Sequence, residues 1–457
     1  MQKNCAVILA AGEGTRMKSS KPKVLAEVLF RPMIDWVLSA VYEAGVEDVC
    51  AVTGHLSEMV CNHLDESVQT VLQAQRLGTG HAVIQAKDFI QAHEGGNVLV
   101  LNGDAPLMDC ETITAALKFH TEANNSATVI SACVADPTGY GRMVRDAEGK
   151  LERIVEQRDA SEKEKKINEV NSGAYWFNCR DLLAAFDEIE AMGRTKKEIY
   201  LTDAIEIMLN RMQNADAFPA ASSDVILGAN DRWQLMELNE IARKKVLKKL
   251  MVSGVDIPCL DGVMVAPEVE IGRDTQILPN TVLLGKTVIG SGCVIGPSTR
   301  LEDCVIGEDC VINASQAERS EVGARVSIGP FSHLRAGSKL GDDVHAGNYT
   351  EVKNSVIGNG TKISHLTYIG DSDVGNGVNF GCGCATANYD GKKKFRTTIG
   401  DDCFIGCDTC LVSPVTLGDH AYTAAGSVIT EDVPAQTMAI ARSRQSIKRK
   451  VRKYHED

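Results

Sequence analysis

The chain is 457 residues long, 44% hydrophobic and 24% charged, with a formal net charge of -13. That length exceeds one ordinary core and calls for two to three domains of globular composition. The acidic balance argues against a general nucleic-acid binder, and no apolar run nears the roughly 20 residues of a membrane span. The first 230 residues alternate strand-like and helix-like runs. Residues 7–10, 49–52, 68–72 and 98–101 read as short apolar strands, and 32–44, 77–90 and 110–123 carry helical spacing between them. The alternation predicts a three-layer α/β domain on a largely parallel sheet.

After the first strand comes Leu9-Ala10-Ala11-Gly12-Glu13-Gly14-Thr15-Arg16-Met17, followed by Pro22-Lys23. A Gly-rich turn leaving the carboxyl end of a parallel strand lets backbone N–H groups approach phosphates. Arg16 and Lys23 are suited to neutralising a triphosphate and the charge that grows on a leaving pyrophosphate. The spacing is neither GxGxxG nor a P-loop, and Gly-x-Gly alone also reads as a plain tight turn. Residues 9–25 as a whole resemble the signature of the sugar nucleotidyltransferases. Asn102-Gly103-Asp104 ends a strand, where α/β sheets place ligands. Asp104 there could hold Mg²⁺ beside phosphate oxygens, or cap the turn before Pro106.

Gln73 and Leu77-Gly78-Thr79-Gly80-His81 resemble the uracil-reading segment of the bacterial UDP-N-acetylglucosamine pyrophosphorylases. The resemblance implies a Rossmann-like nucleotidyltransferase domain working on UTP. It places Leu9, Ala10, Ala11, Gly12, Lys23, Gln73, Gly78, Thr79, Asn102 and Asn230 on the UTP and UDP-sugar. It also implies Gly141, Glu156 and Asn171 on the N-acetylglucosamine moiety, and Asp104 and Asn230 as Mg²⁺ ligands. His81 reads as structural, helping to start the helix that follows.

Residues 231–250 have no Gly or Pro and read as one connecting helix. Beyond it an aliphatic residue recurs every six positions, often followed by Gly: Ile271-Gly272, Ile289-Gly290, Ile295-Gly296, and on to Ile405-Gly406 and Leu417-Gly418. So short a period means a stacked solenoid in which each unit buries its apolar residue against its neighbours. Gly after each aliphatic residue suits a corner with unusual backbone angles. Phase shifts at 301–322 and a gap between Phe380 and Ile399 are expected to be loops. The second holds Asn388-Tyr389-Asp390-Gly391 and Lys392 to Lys394. The tail is basic, with Arg442, Arg444, Lys448, Arg449, Lys450, Arg452 and Lys453. The pattern resembles the hexapeptide-repeat acyltransferases, which implies a left-handed parallel β-helix assembled as a homotrimer. The expected division is 1–230, a linker helix 231–250, and 251–457 with the tail.

Within the repeat, His365 follows Ile363 and Ser364, next to an outward position. A histidine suits removal of a proton from an ammonium near neutral pH. Arg335, Lys353 and Tyr368 are candidates for an acceptor's phosphate, with Asn379 and Asn388-Tyr389 round its sugar. Essentially the whole chain is similar to the bacterial enzymes that fuse a uridylyltransferase to a glucosamine-1-phosphate acetyltransferase. That resemblance makes His365 the general base. It puts Arg335, Lys353, Tyr368 and Asn379 on glucosamine 1-phosphate, and Cys382, Asn388, Tyr389, Cys407, Ala425 and Arg442 on acetyl-CoA. Two positions depart from the family: Cys382 stands where Ala is common and Cys407 where Ser is common. A thiol donates a weaker hydrogen bond than a hydroxyl. The 15 cysteines show no zinc spacing and no secretion signal precedes them, so they are expected to be reduced thiols of a cytoplasmic protein. Two rivals are a nucleotidyltransferase with a purely structural solenoid, and a non-catalytic trimeric scaffold binding sugar nucleotides.

Overall fold

The computed structural model describes residues 3–191 and 198–448. Arg449, Lys450, Arg452 and Lys453 of the basic tail lie outside the described residues. The chain forms two compact units, Met1–Ala242 and Arg243–Asp457. One helix, Arg232–Val252, runs through the division.

In the first unit the main sheet runs in the order Ala215–Pro219, Ala127–Cys133, Glu169–Asn178, Asn97–Asn102, Cys5–Ala10, Asp48–Thr53, Gln69–Leu72. The last four are mutually parallel and match the four strands expected from the sequence, the one expected at 68–72 beginning at Gln69. Their side chains alternate between two cores. Cys5, Val7, Val52 and Val100 enter one; Ala6, Ile8, Ala51 and Leu101 enter the other. A sheet buried on both faces needs such unbroken apolar runs. Glu169–Asn178 is antiparallel to both its neighbours and carries a side hairpin of Arg142–Arg145 and Leu151–Val155. The helical stretch expected at 77–90 is two helices, Thr79–Ile84 and Lys87–Ala92. The first ends in three-residue bonds, Gln85 N to Ala82 O at 3.1 Å and Ala86 N to Val83 O at 2.9 Å, which tighten and stop it.

In the second unit, strands of two to four residues stack into three sheets of 10, 9 and 10 strands. Up to the last coil each strand pairs in parallel with the third one along, so Leu283 lies beside Leu301. The result is a left-handed parallel β-helix with one hexad per face. Ile277, Leu283, Ile289, Ile295 and Leu301 are buried along its axis. Two residues before each sits a second inward position, filled by small groups such as Thr275, Cys293 and Cys310. These bond to the next coil: Thr275 Oγ1 to Gly290 O at 2.8 Å, Cys293 Sγ to Gly307 O at 3.1 Å, Cys310 Sγ to Gly323 O at 3.1 Å. The buried cysteines of this unit are therefore filling residues, stacked and reduced.

Two sequence expectations need correction. The phase shifts at 301–322 are not loops. Leu301, Ile306, Ile312, Ala317 and Val322 remain successive inward residues in paired strands; some corners are one residue shorter. Glycine after the aliphatic residue takes unusual backbone angles at Gly296 and Gly329, but not at Gly272, Gly290, Gly307 or Gly341. Positive φ falls further on in the hexad, at Asp274, Asp309 and Asp343. The glycine is needed for close approach: a Cβ on Gly290 would stand 2.8 Å from Glu308 N and Gly307 C of the next coil. The gap after Phe380 is partly real. Thr386 fills the next inward position, and the excursion 388–396 leaves the coil after it.

Gly290→Ala is expected to destabilise the β-helix by about 1–3 kcal/mol, because backbone cannot yield as a side chain can. Denaturant unfolding followed by far-UV circular dichroism checks this; an unchanged midpoint would contradict the close-approach account.

Candidate active sites

In the first unit a cleft of about 260 Å³ opens at the carboxyl ends of the parallel strands. It is lined by Leu9, Ala11, Gly12, Lys23, Gln73, Gly78, Thr79, Asn102 and Asp104, together with Arg76. Gly14, at φ 62°, starts the short turn Thr15–Met17. A Cβ on Gly14 would lie 2.7 Å from Lys23 Cβ, so this glycine lets the two loops close on the cleft. Lys23 ion-pairs with Asp104 and donates from Nζ to Asn230 Oδ1 at 2.8 Å. The two oxygens thus converge on one cation. That is the donor chemistry a magnesium ion takes, with phosphate and water oxygens completing its shell; among the described residues there is no larger cluster of metal-binding side chains.

Gln73 is 5% exposed. Its Nε2 donates to Gly78 O at 3.1 Å and lies 3.1 Å from His81 Nδ1. The side chain that faces the cleft is therefore oriented by the loop and by His81. Gly141, Glu156 and Asn171 also come together. Asn171 N–H donates to Gly141 O at 2.9 Å, and a Cβ on Gly141 would be 3.5 Å from Glu156 Oε1. Asn171 is held in turn by Tyr175 OH at 2.6 Å. Burial pushes the Glu156 carboxyl above the usual carboxylate range. Glu156 lines a second, larger hollow of about 740 Å³ with Arg158 and Tyr200.

Two expected residues stand apart. Ala10 is buried in the core layer away from Ala11. Arg16 is exposed on its turn and does not line the cleft. Arg76 does line it, paired with Glu13, and the sequence analysis missed it.

In the β-helix the coil spacing explains the site. His365 ends the strand Lys362–His365, and Asn348 pairs with it one coil earlier. His365 Nδ1 lies 2.8 Å from Asn348 Oδ1. The register Ile363 to Phe380 to Ile405 to Thr423 continues the column from His365 through Cys382 and Cys407 to Ala425. Backbone bonds tie it: Cys382 O accepts from Asp408 N and Cys407 O from Gly426 N, both at 2.7 Å. Both cysteines are exposed. Arg442 is exposed and follows Ala441, whose carbonyl accepts from Val428 N at 3.1 Å.

Round the corner from His365, Arg335 stacks on Lys353, and Tyr368 lies in the following strand. Arg335 donates to Glu351 Oε1 at 2.9 Å. Lys353 sits below the usual lysine range because the Lys394 amine is within hydrogen-bonding reach, with burial and the Arg335 charge adding to the effect. Like charges gathered this closely call for an anion. Asn379 lies one coil after Lys362 on the His365 sheet. Asn388 is buried while Tyr389 is exposed beside it. Lys394 and Asn348 were missed from the sequence. Counting 17 residues back from His365, one coil, finds Asn348; Lys394 is visible only as part of a lysine run leaving the repeat.

Residues 5–234 match the family model described as Nucleotidyl transferase. Residues 259–363 match the GMPPB C-terminal domain, and 396–431 match Bacterial transferase hexapeptide (six repeats). The chain is 47% identical over 443 residues to Bifunctional protein GlmU of Acetivibrio thermocellus, covering 97% of this chain and 96% of that one. It is 46% identical to the protein of the same name from Halalkalibacterium halodurans, over 98% of both chains. With that of a Geobacillus species the figure is again 46%, over 97% and 96%.

The unbalanced cations give a direct expectation. Inorganic phosphate should raise the thermal unfolding midpoint of the β-helix through mass action, and Lys353→Ala or Lys394→Ala should remove most of that gain. An equal gain in both variants would place the anion elsewhere.

Proposed function

The chain belongs to the bifunctional GlmU family, and we propose that its two transfer reactions are carried by separate sites on its two halves. It is a bifunctional enzyme that makes UDP-N-acetylglucosamine. It transfers acetyl from acetyl-CoA to glucosamine 1-phosphate, then uridylyl from UTP to N-acetylglucosamine 1-phosphate, releasing pyrophosphate. In our reading residues 251–457 hold the acetyltransferase, 1–230 the uridylyltransferase, and 231–250 the link between them.

For uridylyl transfer, Gly12 and the backbone after Leu9 receive the phosphates, while Gln73, Gly78 and Thr79 take the base. Gly141, Glu156 and Asn171 take the N-acetylglucosamine. Asp104 and Asn230 would hold Mg²⁺, which neutralises phosphate charge when bound. Lys23, which lines the cleft, stabilises the charge that moves onto pyrophosphate. The sugar phosphate oxygen attacks the α-phosphorus in line, so no covalent nucleophile is required. Positioning and charge do the chemistry.

For acetyl transfer, His365 is the general base. If its Nδ1–H donates to Asn348 Oδ1, Nε2 is left with a free lone pair. It takes the proton from the ammonium of glucosamine 1-phosphate; the freed amine attacks the thioester carbonyl, the C–S bond breaks, and the amide's surplus proton leaves with the CoA thiolate as the free thiol. Arg335, Lys353 and Lys394 bind the phosphate, with Tyr368 and Asn379 beside the sugar. Cys382, Asn388, Tyr389, Cys407, Ala425 and Arg442 line the acetyl-CoA side. The observation that carries this reading is the column that puts Asn348, His365, Cys382, Cys407 and Ala425 at one corner of successive coils. A purely structural solenoid has no use for a histidine held by an amide beside a cluster of cations.

We also infer a homotrimer. Phe331, Tyr349 and Leu366 form an exposed apolar ladder, 56–59% accessible, on successive corners, and the first two rings stack at 5.4 Å. Such a ladder suits burial against further copies. A cytoplasmic location agrees with 15 unbridged cysteines. Among the described residues no helix is long and apolar enough to cross a membrane.

His365→Ala is expected to cut acetyl transfer by about a hundredfold or more and spare uridylyl transfer. Asp104→Ala should do the reverse on a similar scale. Mass spectrometry of products from each half-reaction checks both; loss of both activities in either variant would end the separate-site proposal. Alkylation of exposed Cys407 should impair acetyl transfer alone. Full acetyltransferase activity after complete labelling of Cys407 would contradict its placement beside acetyl-CoA.

A further inference from the structure

A second polar column stands beside the phosphate site. Asn354, Asp371 and Asn388 are spaced 17 residues apart, one coil each. Asp371 is 6% exposed, and its backbone takes the left-handed conformation, φ 49°. Its Oδ1 accepts from Asn354 Nδ2 at 2.5 Å, and its Oδ2 from Asn388 Nδ2 at 2.6 Å. The main chain is fixed as well. Asp371 N–H donates to Lys353 O at 2.9 Å, and Asp371 O accepts from Thr397 N at 3.1 Å. A buried carboxylate with both oxygens given to neutral amides is costly to keep.

Asn388 is the first residue of the excursion 388–396, and the excursion is itself stiff. Phe395 N–H returns to Asn388 O at 2.9 Å. Asp390 Oδ1 accepts from Lys392 N and Lys393 N at 2.7 and 2.6 Å. Arg396 closes it, pairing with Asp373 and donating to Asn354 O and Ser372 O, both at 3.1 Å. Tyr389, next to Asn388, bridges in antiparallel fashion to Lys394, so where Asn388 is held decides where Lys394 stands, and its charge is felt by Lys353.

We propose that Asp371 is a positioning residue for acetyl transfer: by clamping Asn388 it seats the excursion so that Lys394 completes the phosphate-binding cations. The proposal rests on the reading of Arg335, Lys353 and Lys394 as the sugar-phosphate site. The carboxylate is required because both partners are donors. An asparagine at 371 offers one acceptor oxygen and one donor nitrogen, so one of the two amides must turn over or lose its bond.

The test uses the full-length enzyme with glucosamine 1-phosphate and acetyl-CoA, and a double-variant cycle. Asp371→Asn is expected to raise KM for the sugar phosphate about tenfold, with a smaller change in kcat and unaltered uridylyl transfer. Lys394→Ala should raise the same KM. In the double variant KM should be no higher than in the worse single variant, because both changes remove one contribution. Multiplying effects, or a KM for Asp371→Asn within about twofold of the parent, would make Asp371 merely structural and overturn the proposal. If Asp371→Asn does not accumulate, Asn388→Ala enters the same cycle with the same criterion. Failure of the parent enzyme to acetylate glucosamine 1-phosphate would instead refute the underlying reading of the site.

Discussion

Everything in the second half of this chain depends on backbone stacking on backbone. Each coil must lie one strand spacing from the next, roughly 4.8 Å, so nothing larger than a hydrogen fits at the glycine positions. A Cβ on Gly272 would be 2.5 Å from Ser291 N, and one on Gly375 2.7 Å from Asp401 N. The same closeness turns sequence distance into spatial columns. Residues about one coil apart become neighbours, whatever lies between them. Asn348 and His365, Arg335 and Lys353, and the Asn354, Asp371, Asn388 trio all arise this way. A catalytic corner can therefore be assembled from residues with no local motif.

The first unit reaches its site by a different route. There the strands end together, and the loops that leave them are drawn in by glycines and by Lys23. Lys23 holds Asp104, from the middle of the unit, and Asn230, from near its end. Two oxygens without a cation between them would repel the phosphates that the cleft is shaped for. The ammonium balances them and keeps the pair preorganised at little cost, because the charges are partly buried together.

The sequence made the repeat, the parallel strands and most of the site residues readable, because period and strand-end position are local signals. What it hid was whatever depends on pairing. Glu169–Asn178 has ordinary strand residues, and nothing in them says that it runs against its neighbours. Thr386 hid the continuing coil because a buried hydroxyl can replace an aliphatic residue when it bonds to Gly370 O, here at 3.2 Å. Arg16 matched its motif yet stands exposed, whereas Arg76, outside any motif, lines the cleft. Most of the glycines were found but misread, Gly296 and Gly329 excepted: their spacing is local, whereas the neighbour that forbids a side chain is a coil away.

The two sites also differ in how their charge is balanced. In the nucleotide cleft the cation already has its carboxylate, so a phosphate ligand competes with Asp104 for Lys23. A metal held by Asp104 and Asn230 would release that ammonium for the phosphates, which makes anion and metal mutually helpful there. In the β-helix corner Lys353, Lys394 and Arg335 crowd together with Glu351 as the one direct ion-pair partner, while the Asp371 and Glu318 carboxylates act on them from further off. The free protein bears that repulsion, and an arriving phosphate relieves it. On the proposed reading, relief of repulsion among Lys353, Lys394 and Arg335 would add to the new contacts and favour a doubly charged phosphate over a neutral sugar. The excursion can sustain the crowding because it is pinned at both ends, through Asn388 and through Arg396. Unpinned, Lys394 would swing away from Lys353 and the selectivity would go with it.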